Sequence, residues 1–95
     1  MILVRVVFHA RQGKIKQLVE WMRQATHDAP QRPMILTDLS GPTNTMVLEA
    51  RYASLAAYEQ WRAEFFNSQV FQAGETPMAG MVESGANEFY TIEQG

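Results

Sequence analysis

The sequence predicts an α+β domain in the order β-α-β-β-α-β, with a four-stranded antiparallel sheet covered by two helices on one face. Three observations point to it. Residues 2–9, "ILVRVVFH", are mostly β-branched or aromatic with no breaker, the composition of a strand. Apolar residues then recur at three and four through residues 13–27, the mark of an amphipathic helix. The turn residues of "GPTN", 41–44, stand between two further strand-like runs, which makes those runs an antiparallel hairpin.

Each element has its own warrant. In strand one, Ile2, Val4, Val6 and Phe8 form a wholly apolar side, and Leu3, Arg5, Val7 and His9 a mixed one. One dry face and one half-polar face suit a sheet covered by helices on one side only. In helix one, Ile15, Leu18, Val19 and Met22 face inward, while Lys14, Lys16, Gln17, Glu20 and Arg23 face solvent. Pro30 and Pro33 end it. Strand two is predicted over 34–40, "MILTDLS", and strand three over 45–52, "TMVLEARY". Met46, Leu48, Ala50 and Tyr52 share one face of strand three, and Thr45, Val47, Glu49 and Arg51 the other. Ser54 is the N-cap of a second helix that runs through "LAAYEQWRAEFF" to about residue 67. Gly74, Pro77, Gly80 and Gly85 then predict a loop with one or two helical turns. Residues 87–93, "NEFYTIE", are the fourth strand. This order is the ferredoxin-like arrangement, here as one domain spanning residues 1–95.

Composition narrows the function. The net charge is -2 and no basic run exists, so nucleic acid is not an expected partner. The chain has no cysteine, which removes disulfides, thiolate nucleophiles and cysteine metal sites. Two histidines with scattered carboxylates do not make a metal site either, and no cofactor is expected. The start, "MILVRVVFHARQG", lacks a basic region ahead of an apolar core and reads as a strand, not a signal peptide. No apolar run reaches the roughly 18 residues of a membrane helix. The expectation is a cytoplasmic protein without a membrane partner.

The uncovered sheet face would carry Leu3, Val7 and Val47 beside Arg5, His9, Glu49 and Arg51. Large aliphatic side chains gain about 1.5–3 kcal/mol each on full burial. A second copy stacked sheet to sheet in a two-fold contact is therefore the expected partner. Strands one and three are neighbours in this arrangement, which sets Arg5 across from Glu49. Paired, they tolerate burial; alone, neither does.

The candidate ligand-binding residues are Arg5, His9, Glu49 and Arg51 on the strands, with Tyr58 and Trp61 on helix two. Arg5 and Arg51 have the chemistry to clamp a carboxylate, although an ion pair with Glu49 is the plainer reading. Histidine ordinarily titrates near neutrality, which makes His9 the candidate general base. It has no evident carboxylate partner, so a surface or interface role is the simpler account. His27 suits the cation-favouring end of helix one. Tyr58, Trp61 and Phe65 form an aromatic stripe that packs on the sheet and would line any pocket between sheet and helices. Met78 and Met81 are candidates for the mouth of such a pocket, and Asn44 serves its turn.

Two stretches carry a family resemblance. The opening of helix one, "ARQGKIKQLVEWMRQ", and the block "DLSGPTNTMVLEARYASLAAYEQWRAEFF" resemble the NIPSNAP family, a branch of the dimeric α/β-barrel superfamily. The matching positions are Gly13, Lys14, Gly41, Asn44, Tyr52, Ser54, Tyr58, Arg62 and Ala63. The resemblance weakens after Gly74. It implies the same fold and a dimer, and it supplies no reaction. Related barrels include antibiotic-biosynthesis monooxygenases and haem-degrading monooxygenases. The haem-degrading group uses an Asn, a Trp and a His ligand. Trp61 matches the Trp, but no histidine follows His27, which counts against haem degradation.

Three readings follow. The first is a homodimeric NIPSNAP-like protein, of unestablished activity, that binds a small apolar or carboxylate-bearing molecule between sheet and helices. The second is a cofactor-free monooxygenase or isomerase of the antibiotic-biosynthesis type, with His9, Arg51, Tyr58 and Trp61 binding or activating the substrate. The third is a purely structural or interaction dimer.

Overall fold

A computed structural model describes residues 1–29, 31–66 and 79–95. The elements are β1 (Ile2–Ala10), α1 (Ile15–Ala25), β2 (Met34–Thr37), β3 (Thr45–Tyr52), α2 (Leu55–Phe66) and β4 (Val82–Thr91). The four strands form one antiparallel sheet in the order β2-β3-β1-β4. The predicted α+β, ferredoxin-like order is therefore the one observed.

Some boundaries differ from the sequence reading, for local reasons. Helix α1 starts at Ile15, after Gly13 takes a left-handed turn at φ 76°. It stops at Ala25, where the backbone N–H and the hydroxyl of Thr26 both donate to the carbonyl of Met22. Strand β2 ends at Thr37, short of residue 40. Asp38 leaves the ladder to hold the hairpin: its carboxylate accepts from the Thr45 N–H at 3.0 Å, and its own N–H donates to the Thr45 carbonyl at 3.2 Å. Gly41 (φ 94°) and Asn44 (φ 60°) then supply the left-handed backbone that the turn needs.

Strand β4 starts at Val82, ahead of the predicted residue 87, and runs straight through Gly85. Gly85 is a close-approach glycine, not a breaker. A Cβ there would lie 3.4 Å from Cδ1 of Phe8 on the neighbouring strand. Residues 79–81 form a helical turn before β4. The rest of the predicted loop, Met78 included, lies outside the described residues. Met81 is buried in the core. Ser54 caps α2 as predicted, its hydroxyl accepting from the Ala57 N–H at 3.1 Å.

The dry face of β1 and β3 takes both helices, and the core under them has two parts. Leu18 and Met22 of α1 join Met46, Ala10 and Met81, with Phe8, Ile35 and Leu48 packed against them. Tyr58 of α2 joins Val4 and Tyr52, with Val6 and Trp61 packed alongside. One cluster anchors each helix to the shared sheet.

Candidate functional site

A cavity of about 200 Å3 opens along the seam between these two clusters. The sheet contributes Val6, Phe8, Leu48 and Asn87. Helix α1 contributes Met22 and its C-cap Thr26, and α2 contributes Tyr58, Trp61, Arg62 and Phe65. The period of α2 puts Tyr58, Trp61 and Phe65 on one side of the helix. Their rings are coupled. Trp61 stacks on Phe65 with centroids 5.3 Å apart and planes 20° apart. It also faces Tyr58 at 6.3 Å and 27°. Tyr58 meets Tyr52 edge-on at 5.2 Å and Phe89 at 5.6 Å. The result is an aromatic wall beside an aliphatic floor, the lining that takes an apolar or flat molecule.

Polar groups at this wall are sparse, and their chemistry is constrained. Burial pushes the Tyr52 phenol up to about 12, with the neighbouring Tyr58 adding to the effect. Burial also raises Tyr58, against a smaller lowering by Arg62. Both phenols are therefore neutral at ordinary pH and act as donors, not as bases. The Thr26 hydroxyl already donates to Met22 at 2.8 Å.

The other sheet face is organised in rows across the strands. Leu36, Val47, Val7 and Ala86 lie in register and make an apolar stripe. The next row is Met34, Glu49, Arg5 and Glu88. Arg5 sits across from Glu49, as the sequence predicts, with Nε and Nη2 both 3.0 Å from Glu49 Oε2. Its Nη1 lies 3.8 Å from Glu88 Oε1. The Tyr90 hydroxyl donates to that same Glu88 oxygen at 2.8 Å, and the Arg5 guanidinium stands 5.6 Å from the Tyr90 ring centre. The hydrogen bond to Glu49 raises the pKa of Arg5. The hydrogen bond to Glu88 raises that of Tyr90.

The six sequence-derived candidates therefore fall on two sides of one sheet. Tyr58 and Trp61 line the cavity. Arg5, Glu49, Arg51 and His9 belong to the uncovered face. Arg5 and Glu49 are engaged with each other, and Arg51 is exposed beside Leu3 and Tyr90. The exposed His9 has Nδ1 3.4 Å from the Thr45 hydroxyl, which itself donates to the Pro42 carbonyl at 2.9 Å. Asn87, Glu88 and Tyr90 were not among the candidates, because their placement depends on the register of β4 against β1. Among the described residues, no group of three His, Cys, Asp or Glu side chains is placed to hold a metal ion. Nor is any helix among them long and apolar enough to cross a membrane.

This architecture defines an α+β sheet-and-helix domain with an apolar cavity under its helices. No protein-family model and no curated protein matches the sequence. Solved structures do match in fold. A NIPSNAP family protein from Agrobacterium tumefaciens superposes with a TM-score of 0.84 at 19% identity, covering 95% of this chain and 90% of that one. An uncharacterised NIPSNAP-like domain protein from Burkholderia xenovorans gives 0.86 at 13% identity, over 98% of this chain and 85% of that one. A provisionally assigned antibiotic biosynthesis monooxygenase from Nitrosomonas europaea gives 0.70 at 18% identity, over 99% and 100%. The chain thus has the fold of the NIPSNAP proteins, which the antibiotic biosynthesis monooxygenase-like proteins share.

Proposed function

We propose that this is a homodimeric NIPSNAP-like protein that binds a small, largely apolar molecule between its helices and its sheet. The observation that carries the ligand reading is the seam itself. A recess of about 200 Å3 is lined by residues of both core clusters and walled by Tyr58, Trp61 and Phe65, the concave apolar surface that small-molecule sites use. The dimer reading rests on the stripe of Leu36, Val47, Val7 and Ala86 on the uncovered face. Its polar neighbours Arg5, Glu49 and Glu88 form an ion-pair cluster, so a second sheet stacked there would bury neither Arg5 nor Glu49 without a partner.

A cofactor-free monooxygenase or isomerase is the second reading, favoured by the fold likeness to the Nitrosomonas protein. In this chain His9 stands across the sheet from the cavity, so a molecule held against Trp61 would lack that imidazole as its base. Native mass spectrometry of the freshly purified protein tests the proposal. A dimer with a small extra mass that denaturation releases is the expected result. A bare monomer would overturn the dimer. A bare dimer that takes up no apolar fluorescent probe would leave only a structural dimer.

A further inference from the structure

Three recesses adjoin one another through shared lining residues. The aromatic-walled cavity shares Thr26 with a cleft of about 360 Å3 between α1 and β2. A small recess of about 30 Å3 shares Val6, Leu48, Tyr58 and Trp61 with the cavity, and Pro33 with the cleft. Ile35, which lines the cleft, pairs across the sheet with Leu48, which lines the cavity. These spaces are neighbours on the helix side of the sheet.

The cleft differs from the cavity in chemistry. Its apolar residues are Val19, Pro33 and Ile35. Its cations are Arg23, from α1, and Arg32, from the connection into β2. Among the described residues, no carboxylate lines it. Among the described residues, Arg23 makes one ion pair, to Glu20 at 3.5 Å, with side chains 68% and 59% exposed. A pair so exposed is weak and leaves the guanidinium available. Thr26, at the junction, gives its hydroxyl proton to Met22 and offers an anion no donor. Two guanidinium forks beside an apolar floor are suited to a carboxylate that trails an apolar body.

We propose that the seam takes an amphiphilic carboxylate, with its apolar body in the cavity against Trp61 and Phe65 and its ionised head group between Arg23 and Arg32. The apolar body rests on the function proposed above; the head group is the addition. Calorimetric titration of the whole chain at neutral pH with octanoate, octanol and inorganic phosphate tests it. Octanoate is expected to bind at least about tenfold more tightly than octanol, because hydrogen bonds to charged groups are the strong ones. Affinity should climb about fourfold per methylene from hexanoate to octanoate. Arg23→Gln and Arg32→Gln should each remove most of the preference for the acid and leave octanol binding unchanged.

Equal affinity for octanol and octanoate would overturn the head-group assignment while leaving the apolar cavity in place. So would a preference that survives both variants but disappears in Arg62→Gln. Phosphate binding as tightly as octanoate would overturn the amphiphile in favour of a bare anion. If neither octanol nor octanoate binds, the cavity reading itself fails.

Discussion

Tyr52 and Tyr58 are held as neutral phenols by burial, and that has a pH consequence. The folded-state pKa of Tyr52 lies at about 12, above its ordinary value of 10.0. Between these values the unfolded chain has lost the proton and the folded chain has kept it. The stabilisation is therefore fully present below pH 10 and is lost as the pH rises toward 12. Thermal melts should be level with respect to these groups up to pH 10 and fall steeply above it, by up to about 2–3 kcal/mol for Tyr52. Tyr52→Phe should flatten that fall. Leu18 is fully buried under α1, and Leu18→Ala should cost about 2–5 kcal/mol in denaturant unfolding. Glu49 offers a third test at this scale. It is one of two carboxylates around Arg5, the other being Glu88 at 3.8 Å. In an isolated subunit Glu49→Ala should cost about 1 kcal/mol or less, because Arg5 stays partly in water. Within a stacked dimer the same change should cost more, since Arg5 loses its 3.0 Å partner and keeps only the 3.8 Å contact to Glu88 at the interface. Unfolding measured across a range of protein concentrations separates the two cases.

At the scale of elements, the strands divide the work. Strands β1 and β3 each present one face to the helices and one to the proposed partner, and their pairing aligns Val7 with Val47. Val7→Lys puts a charge into the middle of the apolar stripe. Analytical ultracentrifugation should then show a folded monomer, with helix content unchanged by circular dichroism; a variant that stays dimeric would move the interface elsewhere. The alternation of β1 and β3 was legible because their side chains switch between core and open face at every residue. Helix α2 was legible through Ser54 and its aromatic spacing, and α1 through its apolar stripe. Strand β4 was read less well. Its first half, Val82 to Ala86, contains Gly85 and no large apolar pair, so composition alone points to a loop. What makes it a strand is long-range pairing with β1, with the Phe8 ring lying over the glycine. Strand β2 was read too long for the opposite reason: Asp38, a plausible continuation by pattern, turns its carboxylate onto the backbone of Thr45.

At the scale of the whole molecule, the site was legible in parts. Sequence pattern supplied the aromatic stripe of α2 and the Arg5–Glu49 pairing. It joined Arg5, His9, Glu49 and Arg51 to Tyr58 and Trp61 in one set, while the sheet stands between the two groups. Nor could periodicity within single elements show that the core would form as two clusters. That depends on how far apart α1 and α2 settle on the sheet, which no local pattern encodes. The divided core bears on how the molecule opens. Each helix rests on its own cluster, so either can lift from the sheet with modest loss of the other's contacts, a sub-global unfolding unit in the sense that amide exchange detects. In the empty protein, α1 and α2 should exchange their amide protons at separate rates. A molecule lodged in the seam would touch both clusters at once and become the missing piece of a single core. The two helices should then open together, and exchange in both should slow on binding, the far helix as much as the near one.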